Sequence, residues 1–139
     1  MKHLVYQCWV TAAMLVICSV ARAQWQQVPQ ENPQDIEHFI DQQSVRQTGP
    51  MSIYRQVKVL SQGSALKQQS IESTVSLHEY DCMNAKLRIL QTMAYSKPWG
   101  EGTSMALKQS PSTGQWHDLP RDALGQTVFD TLCPSGQDE

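Results

Sequence analysis

Residues 71–95 read IESTVSLHEYDCMNAKLRILQTMAY, and this stretch decides the fold. Its first half alternates, with apolar side chains such as Val75 and Leu77 on one face and mostly polar side chains on the other. A period of two with β-branched residues is typical of a half-buried strand. Asp81 interrupts the apolar face, which predicts a β-bulge near Glu79. A turn and a second alternating run follow, so the stretch is expected to form an antiparallel hairpin.

The second strand of this hairpin is predicted over Lys86–Tyr95. Strict alternation places Leu87, Ile89, Met93 and Tyr95 on one face of the sheet, and the side chains between them on the other.

Further strands are predicted on both sides of the hairpin. Met51–Leu60 alternates in the same way, Thr103–Lys108 predicts another strand, and Gln24–Val28 a short first one. Gln42–Pro50 is polar and ends in a Thr-Gly-Pro turn signal, so it is predicted to be a loop.

The C-terminal stretch changes period, since Leu124, Val128 and Leu132 recur every four residues. This spacing predicts one amphipathic helix. A sheet with one apolar face needs a covering layer, and Tyr54 and Tyr80 are expected to meet the helix. The predicted fold class is therefore α+β, an antiparallel sheet of about six strands with a C-terminal helix packed on one face.

Four cysteines are present, and their positions predict one disulfide. Cys8 and Cys18 lie in an N-terminal leader, which leaves Cys82 and Cys133 in a chain bound for an oxidising compartment. Such a pair is expected to bond and to hold the helix to the sheet, with a stabilisation of about 4 kcal/mol on the chain-entropy model. The alternative, a catalytic or metal-binding thiol, has neither a CxxC nor a Cys/His zinc spacing to support it.

Residues 1–23 have the layout of a cleaved secretory signal, with an apolar run over Leu4–Val20 before Ala21-Arg22-Ala23. Two alternatives remain, an uncleaved membrane anchor and lipoprotein processing at Cys18, where the preceding Ile17 is larger than such processing favours. The prediction is a signal peptide over 1–23 and one domain over 24–139. That domain is exported to the periplasm, the cell surface or the medium, and has no transmembrane segment.

The composition limits the function classes. The chain has 139 residues, of which 40% are hydrophobic and 17% charged, and its net charge is −2. This length suits one domain and excludes a cofactor domain joined to a substrate domain. A mildly acidic chain with no basic run argues against nucleic acid as a partner.

No catalytic, cofactor-binding or metal-binding residue is predicted. His78 and Cys82 share a strand face but lie about 13 Å apart at normal strand rise, which is too far for direct proton transfer. Gly100-Glu101-Gly102 lacks the rest of a phosphate-binding loop.

A partner-binding loop is predicted at Lys97 and Trp99, between two strands. An exposed tryptophan beside a lysine is a natural anchor for a protein partner. The alternative is a Trp99 side chain folded back onto the end of the sheet.

Several short motifs follow one another along residues 24–134. They are Trp25-x-x-Val28, Phe39-Ile40-Asp41-x-x-Ser44-Val45-Arg46, Glu79-Tyr80-Asp81-Cys82, Lys86-Leu87-Arg88, Tyr95, Gly100, Gly102, Trp116-x-x-Leu119-Pro120 and Cys133. Taken in this order, they resemble the surface-adhesin protein E family of bacterial envelope proteins.

This resemblance implies a six-stranded antiparallel sheet whose concave face holds the helix through the disulfide. It also implies a non-enzymatic adhesin that binds extracellular or envelope proteins, such as the host matrix proteins vitronectin and laminin, with links to haem and to homodimer formation. Two alternatives remain open: a structural or stress-related periplasmic component without a dedicated ligand, and a small secreted enzyme.

Overall fold

An antiparallel sheet forms the centre of the protein in the computed structural model, which describes residues 24–30, 35–120 and 123–134. The predicted leader lies outside these residues. The elements are β1 (Trp25–Gln27), β2 (Glu37–Thr48), β3 (Tyr54–Gln62), α1 (Ser64–Lys67), β4 (Ser73–Asp81), β5 (Lys86–Lys97), β6 (Glu101–Ala106), β7 (His117–Asp118) and α2 (Ala123–Leu132).

The sheet is a meander. Strands β1 to β6 lie side by side in chain order, and each pair is antiparallel. The short strand β7 pairs with β5 at Lys86 and Leu87, next to the turn between β4 and β5. The predicted α+β fold, with about six antiparallel strands and a C-terminal helix, is confirmed.

The hairpin of β4 and β5 is present, but its bulge lies elsewhere than predicted. Leu77 is opposite Gln91 and His78 is opposite Ile89, so Leu90 is the extra residue, in β5. The prediction of one shared face for β5 is therefore wrong. The bulge puts Leu87 and Ile89 on the opposite face from Met93 and Tyr95, because one extra residue reverses the alternation.

The side chain of Asp81 caps the turn of this hairpin. Its Oδ1 accepts the backbone N–H groups of Met83 and Asn84, each at 3.0 Å, and its Oδ2 accepts the Asn84 amide at 2.8 Å. A polar residue therefore ends the apolar face without a bulge in β4.

The predicted loop over Gln42–Pro50 is wrong, because β2 continues through it to Thr48. Residues 42–45 bulge opposite the single residue Val57. The hydroxyl of Ser44 accepts the Lys58 backbone N–H at 2.8 Å and donates to the Asp41 carbonyl at 2.6 Å. The Ser44 hydroxyl thus takes the place of backbone hydrogen bonds between β2 and β3, and the polar residues 42–45 can remain in the sheet.

Helix α2 covers one face of the sheet and forms the main core with it. The core residues are Val28, Ile40, Val57, Val59, Tyr80, Val128, Leu132 and Cys133. The predicted disulfide between Cys82 and Cys133 is confirmed; their Cα atoms are 5.4 Å apart and 51 positions separate them in the chain. Among the described residues, no helix is long and apolar enough to cross a membrane.

Only one of the two tyrosines predicted to meet α2 does so. Tyr80 is fully buried and its ring centroid lies 6.4 Å from that of Phe129. Tyr54 lies on the opposite face and packs against Trp116, with ring centroids 4.9 Å apart. That prediction is wrong for Tyr54, and the face without the helix carries aromatic clusters of its own.

Candidate functional site

An open groove crosses the sheet face that α2 leaves uncovered. Its volume is about 550 Å³. Every strand from β1 to β6 contributes to its lining, together with the turn after β5. The lining residues are Trp25, Asp41, Lys58, Val75, Tyr95, Trp99, Gly100 and Glu101.

Strand register brings the groove residues together. Trp25 is opposite Asp41, and Asp41 is opposite Lys58, so the three form a row across β1, β2 and β3. Directly opposed side chains on a sheet have Cβ atoms about 5 Å apart. This row could not be predicted from the sequence, since its members become neighbours only through pairing across the bulged strand β2.

Trp99 stands on a turn that is held in a left-handed backbone conformation. Its φ and ψ are 63° and 22°. The Trp99 N–H donates to Gln62 Oε1 at 3.0 Å, the Gly100 N–H donates to Ser73 Oγ at 3.0 Å, and that hydroxyl donates to the Lys97 carbonyl at 2.7 Å. A bulky residue keeps such a conformation only where the surroundings fix it, and this is common at ligand sites.

The Trp99 ring combines both positions considered from the sequence. It packs edge-on against Phe39, with centroids 4.8 Å apart and an interplanar angle of 63°. The side chain has nevertheless folded back only in part, since Trp99 remains 46% exposed. Lys97 is exposed beside it at the end of β5. The partner-binding role of Lys97 and Trp99 stays a prediction.

Gly100 lets this turn approach the sheet closely. Its φ is +70°, and a Cβ at this position would lie 3.0 Å from Val75 Cγ2. Any side chain here would be strained and would also crowd the groove floor.

A second cluster on the same face surrounds the carboxylate of Glu79, which is 2% exposed. It accepts Thr48 Oγ1–H at 2.8 Å, Gln56 Nε2–H at 2.5 Å, Arg88 Nε–H at 2.7 Å and a further bond from Arg88 Nη2. Burial by itself raises the pKa of this carboxyl, but the hydrogen bonds from Gln56, Thr48 and Arg88, with the charge of Arg88, hold the pKa below its ordinary value.

Aromatic rings close this cluster from outside. The Arg88 guanidinium carbon lies 4.3 Å from the Trp116 ring centroid and 5.9 Å from that of Tyr54. Within the described residues, no buried side-chain nitrogen or oxygen lacks a hydrogen-bond partner. The cluster is therefore internally satisfied, and it fixes the segment before β7 to the sheet.

Among the residues that the structure describes, the histidines and cysteines do not form a reactive site together. Cys82 is bonded to Cys133 and has no free thiol. Burial, followed by the charge of His38, lowers the pKa of His78 to about 4, so His78 is neutral at physiological pH. In the described part of the chain, no group of three or more His, Cys, Asp or Glu side chains is placed to hold a metal ion.

Comparison with known proteins gives a consistent result. The family model described as surface-adhesin protein E matches residues 25–134. No curated protein sequence matches the chain.

Solved structures of Haemophilus influenzae protein E share the fold. One has a TM-score of 0.59 at 17% identity, and the match covers 81% of this chain and 85% of that one. A second crystal form has a TM-score of 0.58 at 15% identity, covering 78% and 94%. Protein E from a non-typeable strain has a TM-score of 0.57 at 15% identity, covering 83% and 78%. Because the family model spans most of the sequence, the chain belongs to the surface-adhesin protein E family.

Proposed function

We propose that this protein is an exported, non-enzymatic binding protein of the bacterial envelope that binds extracellular proteins through the groove and the Trp99 turn. The single observation that carries this proposal is the half-exposed Trp99 ring on a turn with a fixed backbone. Membership of an adhesin family supports it.

The Trp99 side chain is already ordered before any ligand arrives. Tryptophan is enriched among the residues that dominate binding energy at protein interfaces. An anchor that is fixed in advance loses little conformational entropy on binding. The three hydrogen bonds around the turn and the contact with Phe39 fix this anchor.

The experiment is surface plasmon resonance of residues 24–139 on immobilised vitronectin and laminin, the ligand class that the family resemblance implies. Trp99→Ala is expected to weaken binding by about thirtyfold or more, since loss of an interface anchor costs about 2 kcal/mol or more. Met83→Ala is the matched control, because Met83 is 71% exposed in the turn between β4 and β5, away from the groove.

Two results would contradict the proposal. Equal losses in both variants would show that the groove is not the binding surface. No binding by the unaltered protein would favour the second class considered, a structural or stress-related envelope component without a ligand.

Export is part of the same proposal. Cleavage after Ala23 is expected to leave Gln24 as the first residue of the mature protein, which N-terminal sequencing of the cell envelope and medium fractions measures. A lipid-modified Cys18 would overturn cleavage at Ala23.

A further inference from the structure

We propose that the groove lined by Trp25, Tyr95 and Trp99 is a saccharide-binding site, in which one sugar ring packs against the aromatic side chains. This inference rests on the proposed binding role of the groove and names the chemical class of its ligand. It follows from the apolar lining, the polar lining and the volume of the groove.

The apolar lining consists of the three aromatic side chains and Val75. A pyranose ring has a flat face of C–H groups, and the face of an aromatic ring carries the negative part of its quadrupole. Packing the two together buries apolar area and aligns the C–H dipoles with the ring. Trp99 is suited to this contact because Phe39 supports its ring while almost half of the side chain stays exposed.

The polar lining mixes acceptors with a donor. Asp41 and Glu101 are carboxylates that only accept hydrogen bonds, and Lys58 is an ammonium that only donates them. A hydroxyl group does both, so a polyhydroxylated neutral ligand can satisfy all three side chains. An anionic ligand would be repelled by the two carboxylates, and a cationic ligand would be repelled by Lys58.

Asp41 supplies an acceptor that is already oriented. It is 6% exposed, and its Oδ1 accepts the Gln43 backbone N–H at 3.0 Å. Carboxylates fixed in this way form directional hydrogen bonds with little rearrangement on binding.

The size of the groove agrees with a ligand of this class. Its volume of about 550 Å³ falls within the range of roughly 300–1,000 Å³ that is typical of small-molecule sites. The groove is also open to solvent along the sheet, so a longer glycan could extend beyond the ring that contacts Trp99.

The test is a titration of ¹⁵N-labelled residues 24–139 with two- to four-unit oligomers of glucose, galactose, mannose and N-acetylglucosamine. This segment has three indole N–H groups, from Trp25, Trp99 and Trp116. At least one oligomer is expected to shift the Trp25 and Trp99 signals saturably and to leave the Trp116 signal unchanged, since Trp116 is engaged with Arg88 and Tyr54.

Two variants connect this binding to the groove. Trp99→Ala is expected to weaken the affinity for the oligomer by about tenfold. Lys58→Met, at an exposed position where the fold is not at risk, is expected to weaken it by a few-fold through loss of the donor. Unchanged affinity in both variants would overturn the proposal, as would a panel in which no oligomer shifts the two signals at millimolar concentration.

A further arm separates this inference from the proposed function. Immobilised laminin is stripped of its glycans by glycosidases, and binding is measured again. Loss of binding supports a saccharide ligand. Full binding to the stripped protein together with no response to the oligomers overturns the saccharide site and leaves the protein-binding function intact. A response to oligomers without binding to any matrix protein supports the site and contradicts the matrix ligand.

Discussion

Glu79 carries a negative charge in the interior of the sheet, and its environment explains how the fold tolerates that charge. Taking a carboxylate out of water is costly unless donors replace the lost hydration. Thr48, Gln56 and Arg88 supply these donors from three different strands. The buried charge is therefore tolerated only in this register of β2, β3, β4 and β5, because a shifted strand would leave the Glu79 carboxylate without hydrogen-bond donors.

Removal of the Arg88 cation should destabilise the protein strongly. Arg88→Met is expected to lower the free energy of unfolding by about 3 kcal/mol, since it leaves a buried carboxylate uncompensated. Urea denaturation followed by fluorescence measures the change. Lys86→Met is the control, because the ion pair of Lys86 with Asp118 is exposed and such pairs contribute less than about 1 kcal/mol. Similar losses of unfolding free energy in the two variants would show that burial of the Glu79–Arg88 pair does not increase its contribution to stability.

His78 should make stability fall as the pH drops below neutrality. Its pKa is lowered to about 4, first by burial and then by the charge of His38, whereas an unfolded histidine titrates near 6.5. Between these values the unfolded state takes up a proton that the folded state does not. The free energy of unfolding should therefore fall by about 2 kcal/mol from pH 7 to pH 5.

Urea denaturation at both pH values measures this effect, and His78→Gln should remove most of it. Glu79 and Asp81 have lowered pKa values, so their contributions to stability are present above their ordinary pKa values and are lost only at more acidic pH. A His78→Gln protein with an unchanged pH dependence would show that another group is responsible.

Alanine substitutions at two glycines distinguish the cost of backbone strain from the cost of steric crowding. Gly100 and Gly114 both have positive φ, +70° and +78°, but only a Cβ at Gly100 would meet another side chain. Gly114→Ala should cost about 1 kcal/mol from the backbone alone. Gly100→Ala should cost more and should also alter the fluorescence of Trp99. Thermal denaturation of both variants measures the costs, and equal costs would contradict the close contact with Val75.

At the scale of secondary-structure elements, the attachment of α2 depends on both packing and a covalent bond. The double variant Cys82→Ser/Cys133→Ser should lower the free energy of unfolding by about 4 kcal/mol, because the bond no longer restricts the unfolded chain. Hydrogen exchange should rise first in α2, since the sheet keeps its own ladders. The intact protein should gain two mass units on reduction. Uniform exchange across helix and sheet would contradict a separately attached helix.

Elements with a regular spacing of apolar residues were predicted correctly, and elements without such a spacing were missed. The alternation around Val57 and Val75 predicted β3 and β4, and the four-residue spacing through Val128 predicted α2 and its covered face. The bulge at Leu90 could not be predicted, because it depends on how β5 pairs with β4. Strand β2 was missed because the Ser44 hydroxyl takes the place of a backbone hydrogen bond between β2 and β3. The pattern of apolar and polar residues gives no sign of this side-chain hydrogen bond.

At the scale of the whole molecule, one sheet serves two different purposes on its two faces. The face under α2 is the apolar core, and the other carries the groove and the Glu79 cluster. Trp99 was a candidate from the sequence because it is a tryptophan in a turn between proline and glycine. The proximity of Trp25, Asp41 and Lys58 could not be predicted, since strand pairing alone brings together three side chains from three separate strands.

The bond between Cys82 and Cys133 also has a consequence for the order in which the molecule is completed. A polypeptide that emerges amino end first delivers its second sulfur 51 positions after the first. Until residue 133 has been made, the Cys82 thiol has no Cys133 to pair with, and α2 does not yet cover the apolar face of the sheet. A chain that ended before residue 133 would keep this unpaired thiol and this exposed apolar face. This disulfide can therefore form only in a chain that extends at least to residue 133.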